Sequence, residues 1–593
     1  MIIFRTLTNH KIDLSRFGVS LNEESSLFSD NIYKSYSVPF SIPAEEEIIE
    51  MLGLPDLDNI TDVDTSVRGK IILPYTYYDA ILFLGEIQGG QIECEISYGD
   101  AELAVYDRDL KDLPWPVQLV PEFGYGIEVN TKIVSTWPRY AYNYPRVYDA
   151  SIKEKSNYEA FRGFINDHNG ITPVFNNVDN SGEEPIYYNY NVLAPFPYLL
   201  EILRFGYLQE GKTISGELFD DEIMKQALYI PQNFLEKFKG SEYLAFSFST
   251  PTSTENENRG VYKRTFIPEK IGTYQVDYKL NIDPITASYF DFKVYQDDPN
   301  SFNRTILLEN TSTNNRVRLS DKLKVNVTSE NQFHPIVIEI KLNYRAESIA
   351  TMNQFEYSFQ AGKLNEFPSS FSLSDFVPDM TFGEYVNELK NWLNLDIDIQ
   401  DTNVEINYTQ NAILKKQRED HRHLEIPKPK KTHNSNRFYK LTYANGEQVM
   451  YNKNGQVFSE LDEKGADVIE IKMDVQPAVV EQNDDIITAV VPDKRSKIDF
   501  CLFKSPGLLV NDCAPETANE LSQQNNFNRN WSEWLQYRVH SKTFKESFEC
   551  SVHERININE LSFKYNELHV IKKLKKKYQS EKTMKVDLES ETF

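Results

Sequence analysis

The chain has 593 residues, with 63 basic and 89 acidic side chains, a formal net charge of −26 and a pI near 4.9, so general attraction to phosphate backbones or anionic membranes is disfavoured. That length predicts roughly three to five domains of about 100–200 residues, each able to bury an apolar core. Four cysteines, Cys94, Cys501, Cys513 and Cys550, fit neither a zinc spacing nor a dense disulfide framework.

No run of about 18 apolar residues suggests a membrane span. Met1–Ile12 lacks the basic start and apolar centre of a leader, so a soluble chain with no recognisable export signal is expected. The Asn-x-Ser/Thr triplets at Asn59 and Asn326 are accordingly read as chance matches. The 35 tyrosines and 36 phenylalanines favour strands and also the cores of protein interfaces.

Residues 1–150 read as a β-rich, barrel-like domain. Tyr33–Pro43 is punctuated by Pro39 and Pro43, Ile71–Leu84 is apolar, and Gly89-Gly90 separates it from Gln91–Tyr98, which is a hairpin signal. In the second arm Ile92, Cys94, Ile96 and Tyr98 alternate with Glu93, Glu95 and Ser97, predicting one packed and one acidic face. Asp56, Asp58, Asp62 and Asp64 hint at calcium, but the segment lacks the central glycine and terminal glutamate of an EF-hand and is read as an acidic loop. From Pro114 to about Tyr190 the chain is rich in Pro, Tyr and Asn with little periodicity, which predicts long surface excursions.

Two helix–strand units stand out, one in 151–240 and one in 366–414. In the first, Pro195 and Pro197 suit a helix start, and Leu199, Leu200, Ile202, Leu203 and Tyr207 form an apolar face that Gly206 weakens by about 1 kcal/mol relative to alanine. Gly211 ends this helix, Ile214 begins the strand that leaves it, and a further short helix is expected over Asp221–Leu228. In the second unit Thr381 and Glu384 form a capping-box pattern, followed by Phe382, Val386, Leu389 and Leu393 at helical spacing. Asn394 stops that helix, and Leu395, Ile397 and Ile399 then alternate as a half-buried strand.

Between the units, residues 241–365 predict an inserted β-sandwich. Leu244, Phe246 and Phe248 alternate, as do Tyr274–Ile282, Phe290–Val294 and Ile336–Tyr344. The run Phe266–Leu280 is similar to segments of jelly-roll accessory and carbohydrate-binding domains. Residues 415–436, polar and interrupted by Pro427 and Pro429, read as a linker or extended arm. Residues 437–593 read as a β-rich domain. Its Asn445-Gly446 and Asn454-Gly455 pairs suit tight primed turns, and an aromatic helix is expected near Trp531–Tyr537. Strands are expected at Phe548–Val552 and Met584–Leu588, and Lys572–Lys577 reads as a solvated face or as one meeting an acidic neighbouring subunit. The expected fold class is thus α+β and β-dominated: several antiparallel barrels or sandwiches, short helix–strand modules and the inserted jelly-roll-like sandwich.

No catalytic motif is found. GxSxG, HExxH, a Gly-rich phosphate loop and paired CxxC are all absent, so no catalytic, cofactor-binding or metal-ligating residue is predicted. His421-Arg422-His423 sits in a charged segment without ordered carboxylates and reads as solvated, and Cys501 and Cys513 would pair only in an oxidising setting. A glycosidase needs two opposed carboxylates, and 89 acidic residues single out no pair.

The early Leu27-Phe28-Ser29-Asp30, the segment Tyr36-Ser37-Val38-Pro39-Phe40-Ser41-Ile42-Pro43, the units Pro195–Gly216 and Phe376–Ile399, and the ending Val586–Ser590 together resemble tail proteins of bacteriophages, especially those infecting Bacteroidota. The match covers about half the chain and leaves the 241–365 sandwich outside it. It implies a non-enzymatic virion protein of the tail tip or baseplate, assembled in the host cytoplasm and hub-like. Such a protein would form a ring with copies of itself, a trimer being favoured, and join the tail tube to tape-measure, tip or fibre proteins. The resemblance implies no cofactor, no sequence-specific nucleic acid and no stable membrane insertion. An acidic lining of such a ring would repel passing DNA. The alternative is a carbohydrate-binding adhesin or receptor-binding protein that uses the 241–365 sandwich and exposes Trp or Tyr platforms there.

Overall fold

The computed structural model describes the chain except for residues 1, 29–33, 38, 53–64, 75–76, 100–102, 121–124, 156–157, 180–185, 233, 235–243, 257–258, 269–271, 283–289, 299–303, 313–316, 329–330, 344–352, 361–369, 400–401, 460–463, 504–511, 514–518 and 581. It is an α+β structure dominated by strands, with many separate antiparallel and mixed sheets. Its apolar interior divides into three clusters: one under a large sheet, one inside the sandwich, and the largest around the two helix–strand units.

The large sheet has 14 strands and joins the first hundred residues to the last third of the chain. Ser20–Glu24 lies antiparallel between Lys34–Ser37 and Glu567–Tyr578, with Asn22 opposite Tyr36 on one side and Lys575 on the other. The sequence assigns these strands to separate segments, 1–150 and 437–593. Each is amphipathic with free edges, and the structure pairs those edges with one another. Inward residues from both ends of the chain, among them Leu21, Ile92, Leu574 and Val586, share one core. The hairpin of Tyr77–Gln88 and Gln91–Tyr98 turns through Gly89 and Gly90 at φ +60° and +74°, the left-handed pair that a type I′ turn requires. Ile92, Cys94, Ile96 and Tyr98 are buried, while Glu93 and Glu95 face out.

Segment 415–436, expected as a linker, contributes to this same sheet. Arg418–Asp420 runs parallel to Leu561–Lys564, and Lys430–His433 runs antiparallel to Lys542–Ser551. An edge strand needs no apolar alternation when long side chains lie along its neighbours; the Lys431 ammonium sits 4.7 Å from the Phe544 ring centroid.

The two helix–strand units pack on each other. The helices are Leu199–Leu208 and Phe382–Leu393. The second opens on the expected capping box, with Glu384 N donating to Thr381 Oγ1 and Thr381 N donating to Glu384 Oε2, both at 3.2 Å. It stops at Asn394, which takes the left-handed φ of +53°. The helices meet at Gly206, where a Cβ would fall 2.0 Å from the Phe382 ring, and Tyr385 OH donates to Leu199 O at 2.8 Å. Their following strands, Thr213–Ser215 and Leu395–Ile399, flank one shared strand, Asn403–Tyr408, in parallel and antiparallel sense respectively.

The helix expected over Asp221–Leu228 is replaced by a 3-10 turn, Met224–Gln226, and a strand, Ala227–Tyr229. Asp221 Oδ1 accepts from Ile223 N at 2.9 Å, a side-chain turn that competes with helix. The wholly buried strand Ile498–Leu502 then captures Ala227–Tyr229.

The inserted sandwich forms as expected. A sheet of Leu244–Phe246, Asn353–Gln360, Gly272–Ile282 and Val317–Val327 faces one of Ser253–Asn256, Arg259–Phe266, Ile336–Asn343, Phe290–Asp297 and Arg304–Ser312, with Val276, Phe292, Ile338 and Phe355 between them. At Asn445-Gly446 and Asn454-Gly455 only the glycine has positive φ, +86° and +98°. Turns closing on one left-handed glycine therefore replace the expected primed turns. The aromatic helix spans Gln523–His540, with a π-helical segment at Phe527–Trp531.

The segment between Pro114 and Tyr190, expected as surface excursions, is exposed at places such as Leu119 and Ile171 but is in part interior. Trp115, Tyr142, Tyr144, Phe161 and Ile165 belong to the largest core. Irregular backbone can be buried only when its polar groups find partners, and asparagines supply them. Asn166 Nδ2 donates to Pro145 O and Ala194 O at 3.0 and 2.9 Å while its Oδ1 accepts from Ala194 N at 2.8 Å. Asn191 bridges Asp167 and Val174 in the same manner.

Candidate functional site

The face of the large sheet opposite its core carries charge in rows that cross the strands. Lys545, Glu589, Lys573 and Glu24 are register neighbours on four adjacent strands. Lys545 Nζ lies 2.7 Å and Lys572 Nζ 3.2 Å from the Glu589 carboxylate, and Lys573 Nζ lies 2.8 Å from Glu24. Burial opposes the charge on Glu589, but the two lysines outweigh it and hold the carboxyl below its usual range. The next row is Ser547, Asp587, Lys575 and Asn22, and the one beyond is Glu549, Lys585, Lys577 and Ser20. An open groove of about 540 Å³ follows the first two of these rows past Lys430 and Tyr36.

Lys572–Lys577 is therefore only partly the solvated face expected. Lys572, Lys573 and Lys576 pair with carboxylates of this chain, Lys576 reaching the buried Glu23 at 3.3 Å.

Buried ionisable groups elsewhere neutralise one another. Glu591 receives Arg437 Nη2 at 2.7 Å and Arg538 Nε at 2.9 Å. Its burial raises the proton affinity, and the guanidiniums outweigh that and hold it ionised. Lys564 Nζ donates to both Glu546 oxygens at 3.0 and 2.9 Å, with Tyr565 OH donating to Oε1 at 2.6 Å. Beside them burial pushes the His569 imidazole down to about 4. His569 Nε2 donates to Lys564 O at 3.2 Å, which fixes Nδ1 as the acceptor from Ser590 Oγ at 3.0 Å.

Arg146 bridges Asp512 and Asp167. Asp221 binds Tyr408 OH and Arg529 at the rim of a pocket of about 300 Å³. Perturbed groups in a cleft are catalytic candidates, but in these clusters the hydrogen-bonding capacity goes largely to fixing strands. Among the described residues no group of three or more His, Cys, Asp or Glu side chains could hold a metal ion.

His421 is buried rather than solvated, with Nδ1 2.8 Å from Ser562 Oγ and Nε2 2.9 Å from Arg555 O. Pairing of its segment with Leu561–Lys564 carries it inside. His423 reaches Glu554 at 2.8 Å on the surface. Cys501 and Cys513 are free, buried and in contact; the hydrogen bond between them and burial push the Cys501 thiol well up. Asp56, Asp58, Asp62 and Asp64 lie outside the described residues.

The buried pairs were not singled out from the sequence, although one has a local signal: Glu546 occupies an inward position of the alternation Phe544, Glu546, Phe548. On the sandwich, Tyr262, Tyr274 and Tyr295 are fully buried. Phe333 is 57% exposed beside Ile267 at 59%. No helix among the described residues is long and apolar enough to cross a membrane.

No family model matches the chain, and no curated protein matches it by sequence. Among solved structures, PirA is similar at 8% identity, covering 21% of this chain and 99% of its own, with a TM-score of 0.13. TmCBM61, solved in complex with β-1,4-galactotriose, is similar at 12% identity, covering 20% of this chain and 87% of its own, with a TM-score of 0.12. Likenesses at these scores carry no functional statement.

Proposed function

We propose that the chain is a structural component of a phage tail tip or baseplate, a hub-like, ring-forming adaptor between the tail tube and the tip. The observation that carries this reading is the 14-stranded sheet, which binds the first and last strands of the chain into one rigid face. The helix–strand platform is welded beside it, and the sandwich is looped out as an insertion. Buried charges spent mostly on fixing strands, as at Glu591 and Glu546, suit a protein whose product is geometry.

The glycan-binding alternative draws less support, because the described sandwich tyrosines Tyr262, Tyr274, Tyr295 and Tyr357 are interior and Tyr278 is half-buried, whereas stacking on sugar needs exposed rings. Gold-labelled antibodies against the purified chain, applied to particles released from cells that carry the gene, are expected to decorate the tail tip. Unlabelled particles, or a monomer that binds on a glycan array, would overturn the reading.

A further inference from the structure

Among the described residues, the outer face of the large sheet carries glutamates without ion pairs on one flank and, on the other, lysines without ion pairs set among Asp587 and Glu549. We infer that it is a contact between copies of this chain, the glutamate flank of one copy (Glu86, Glu93, Glu95) seating on the lysine flank of the next (Lys575, Lys577, Lys585). The inference rests on the ring-forming reading above and names the surfaces that would form the ring.

Glu93 and Glu95 point outward from Gln91–Tyr98, and Glu86 is exposed on the paired strand. None of the three has an ion pair among the described residues. Lys577 is exposed, Lys575 and Lys585 are half-exposed, and these too have no ion pair among the described residues. The two flanks belong to one continuous face, because the row Ser97, Tyr36, Asn22, Lys575 runs unbroken across four strands.

That row also sets their separation. Three strand spacings of about 4.8 Å place the glutamate strand roughly 14 Å from the lysine strand, beyond the screening length of about 8 Å at physiological salt. The uncharged Ser97, Tyr36 and Asn22 lie between. The flanks therefore do not neutralise each other within one chain.

A chain of net charge −26 repels its own copies in general. Approach is favoured only where one copy offers cations to the other's anions. Phe83, 42% exposed and opposite Glu95, adds apolar surface that lysine stems can cover. Because the two patches differ, the contact is head-to-tail, the kind that closes into a ring when its rotation allows.

The test uses the full chain in sedimentation velocity at low and high salt, with circular dichroism to confirm folding. The wild type is expected to associate at low salt and to weaken as salt rises. The triple variants Glu86→Lys/Glu93→Lys/Glu95→Lys and Lys575→Glu/Lys577→Glu/Lys585→Glu are each expected to self-associate at least about tenfold more weakly. An equimolar mixture of the two is expected to associate again, since one then carries two basic flanks and the other two acidic ones.

A wild type that stays monomeric, folded variants that assemble like the wild type, or a folded mixture that does not associate would each overturn the inference. Labelled tail tips together with charge-insensitive association would leave the hub reading standing and remove only this contact. Unlabelled particles would remove the reading itself, whatever the variants do.

Discussion

Gly206→Ala tests whether the two helix–strand units are one packed body. On propensity alone alanine is favoured at this helix-interior position by about 1 kcal/mol. A Cβ there, however, falls 2.0, 2.3 and 2.4 Å from three atoms of the Phe382 ring. That ring has little room to retreat: it is fully buried, stacked on Tyr106 at 5.9 Å and edge-on to Tyr207 at 5.0 Å between centroids. Overpacking of this kind costs up to about 3 kcal/mol, so the net loss is expected to be about 2 kcal/mol. The assay is tryptophan fluorescence during chemical denaturation. All five tryptophans, Trp115, Trp137, Trp392, Trp531 and Trp534, lie in the largest core and none in the sandwich, so the signal reports this body alone. Adding Phe382→Leu to Gly206→Ala is expected to recover part of the loss. A Gly206→Ala variant as stable as the wild type, or more so, would refute the close packing of the two helices.

His569 makes the sheet pH-sensitive. With the folded imidazole near 4 and the unfolded one near 6.5, only the unfolded chain binds the proton in that window; stability falls as pH drops through it, by up to about 3 kcal/mol, and His569→Gln is expected to flatten the fall in denaturation midpoints. Glu591→Gln leaves the Arg437 and Arg538 guanidiniums buried without a counter-charge and is expected to cost about 3–5 kcal/mol, read as a lower thermal midpoint. Asn166→Ala removes the partners of Pro145 and Ala194 and forces alanine to φ +56°; a loss of about 3 kcal/mol is expected, with faster amide exchange at Ala194. Replacing residues 241–365 with a short Gly/Ser linker is expected to leave the tryptophan transition in place. The first described strand of the sandwich pairs antiparallel with its last, Leu244 opposite Tyr357, so the sandwich closes on itself and is expected to be removable as a unit; loss of a cooperative transition would refute independent folding.

What the sequence reveals of this fold is mostly what is local. The capping box at Thr381, the stop at Asn394, the Gly89-Gly90 turn and the alternating sandwich strands each depend on a few neighbouring residues and recur in the structure as read. The large sheet depends instead on pairings such as Glu24 with Lys573, 549 residues apart, and no local pattern names a distant partner. The Pro114–Tyr190 segment misleads for a different reason. Asparagine is a loop signal because its side chain bonds backbone, and here that same capacity satisfies a buried irregular chain. The lysine run was visible as charge, while the row that divides it into paired and unpaired lysines is a property of register.

The buried ionic clusters fit the same logic. Arg146 reaches Asp512 across 366 residues, Arg529 reaches Asp221 across 308, and Arg437 reaches Glu591 across 154. Each thus pins elements that local preference leaves free to slide. Compared with apolar side chains of similar size, such pairs are poor stabilisers, since desolvation takes back most of the attraction. Their effect lies in the alternatives they penalise: a one-residue slip of the last strand would turn Glu591 to the opposite face and strand two buried guanidiniums. These charges lie at junctions between elements, where a single slipped register would also misalign the lysine and glutamate rows on the outer face. Internal specification and external complementarity therefore depend on the same strand register. Glu591→Gln is accordingly expected to weaken association between copies as well as folding, although Glu591 itself is buried far from solvent.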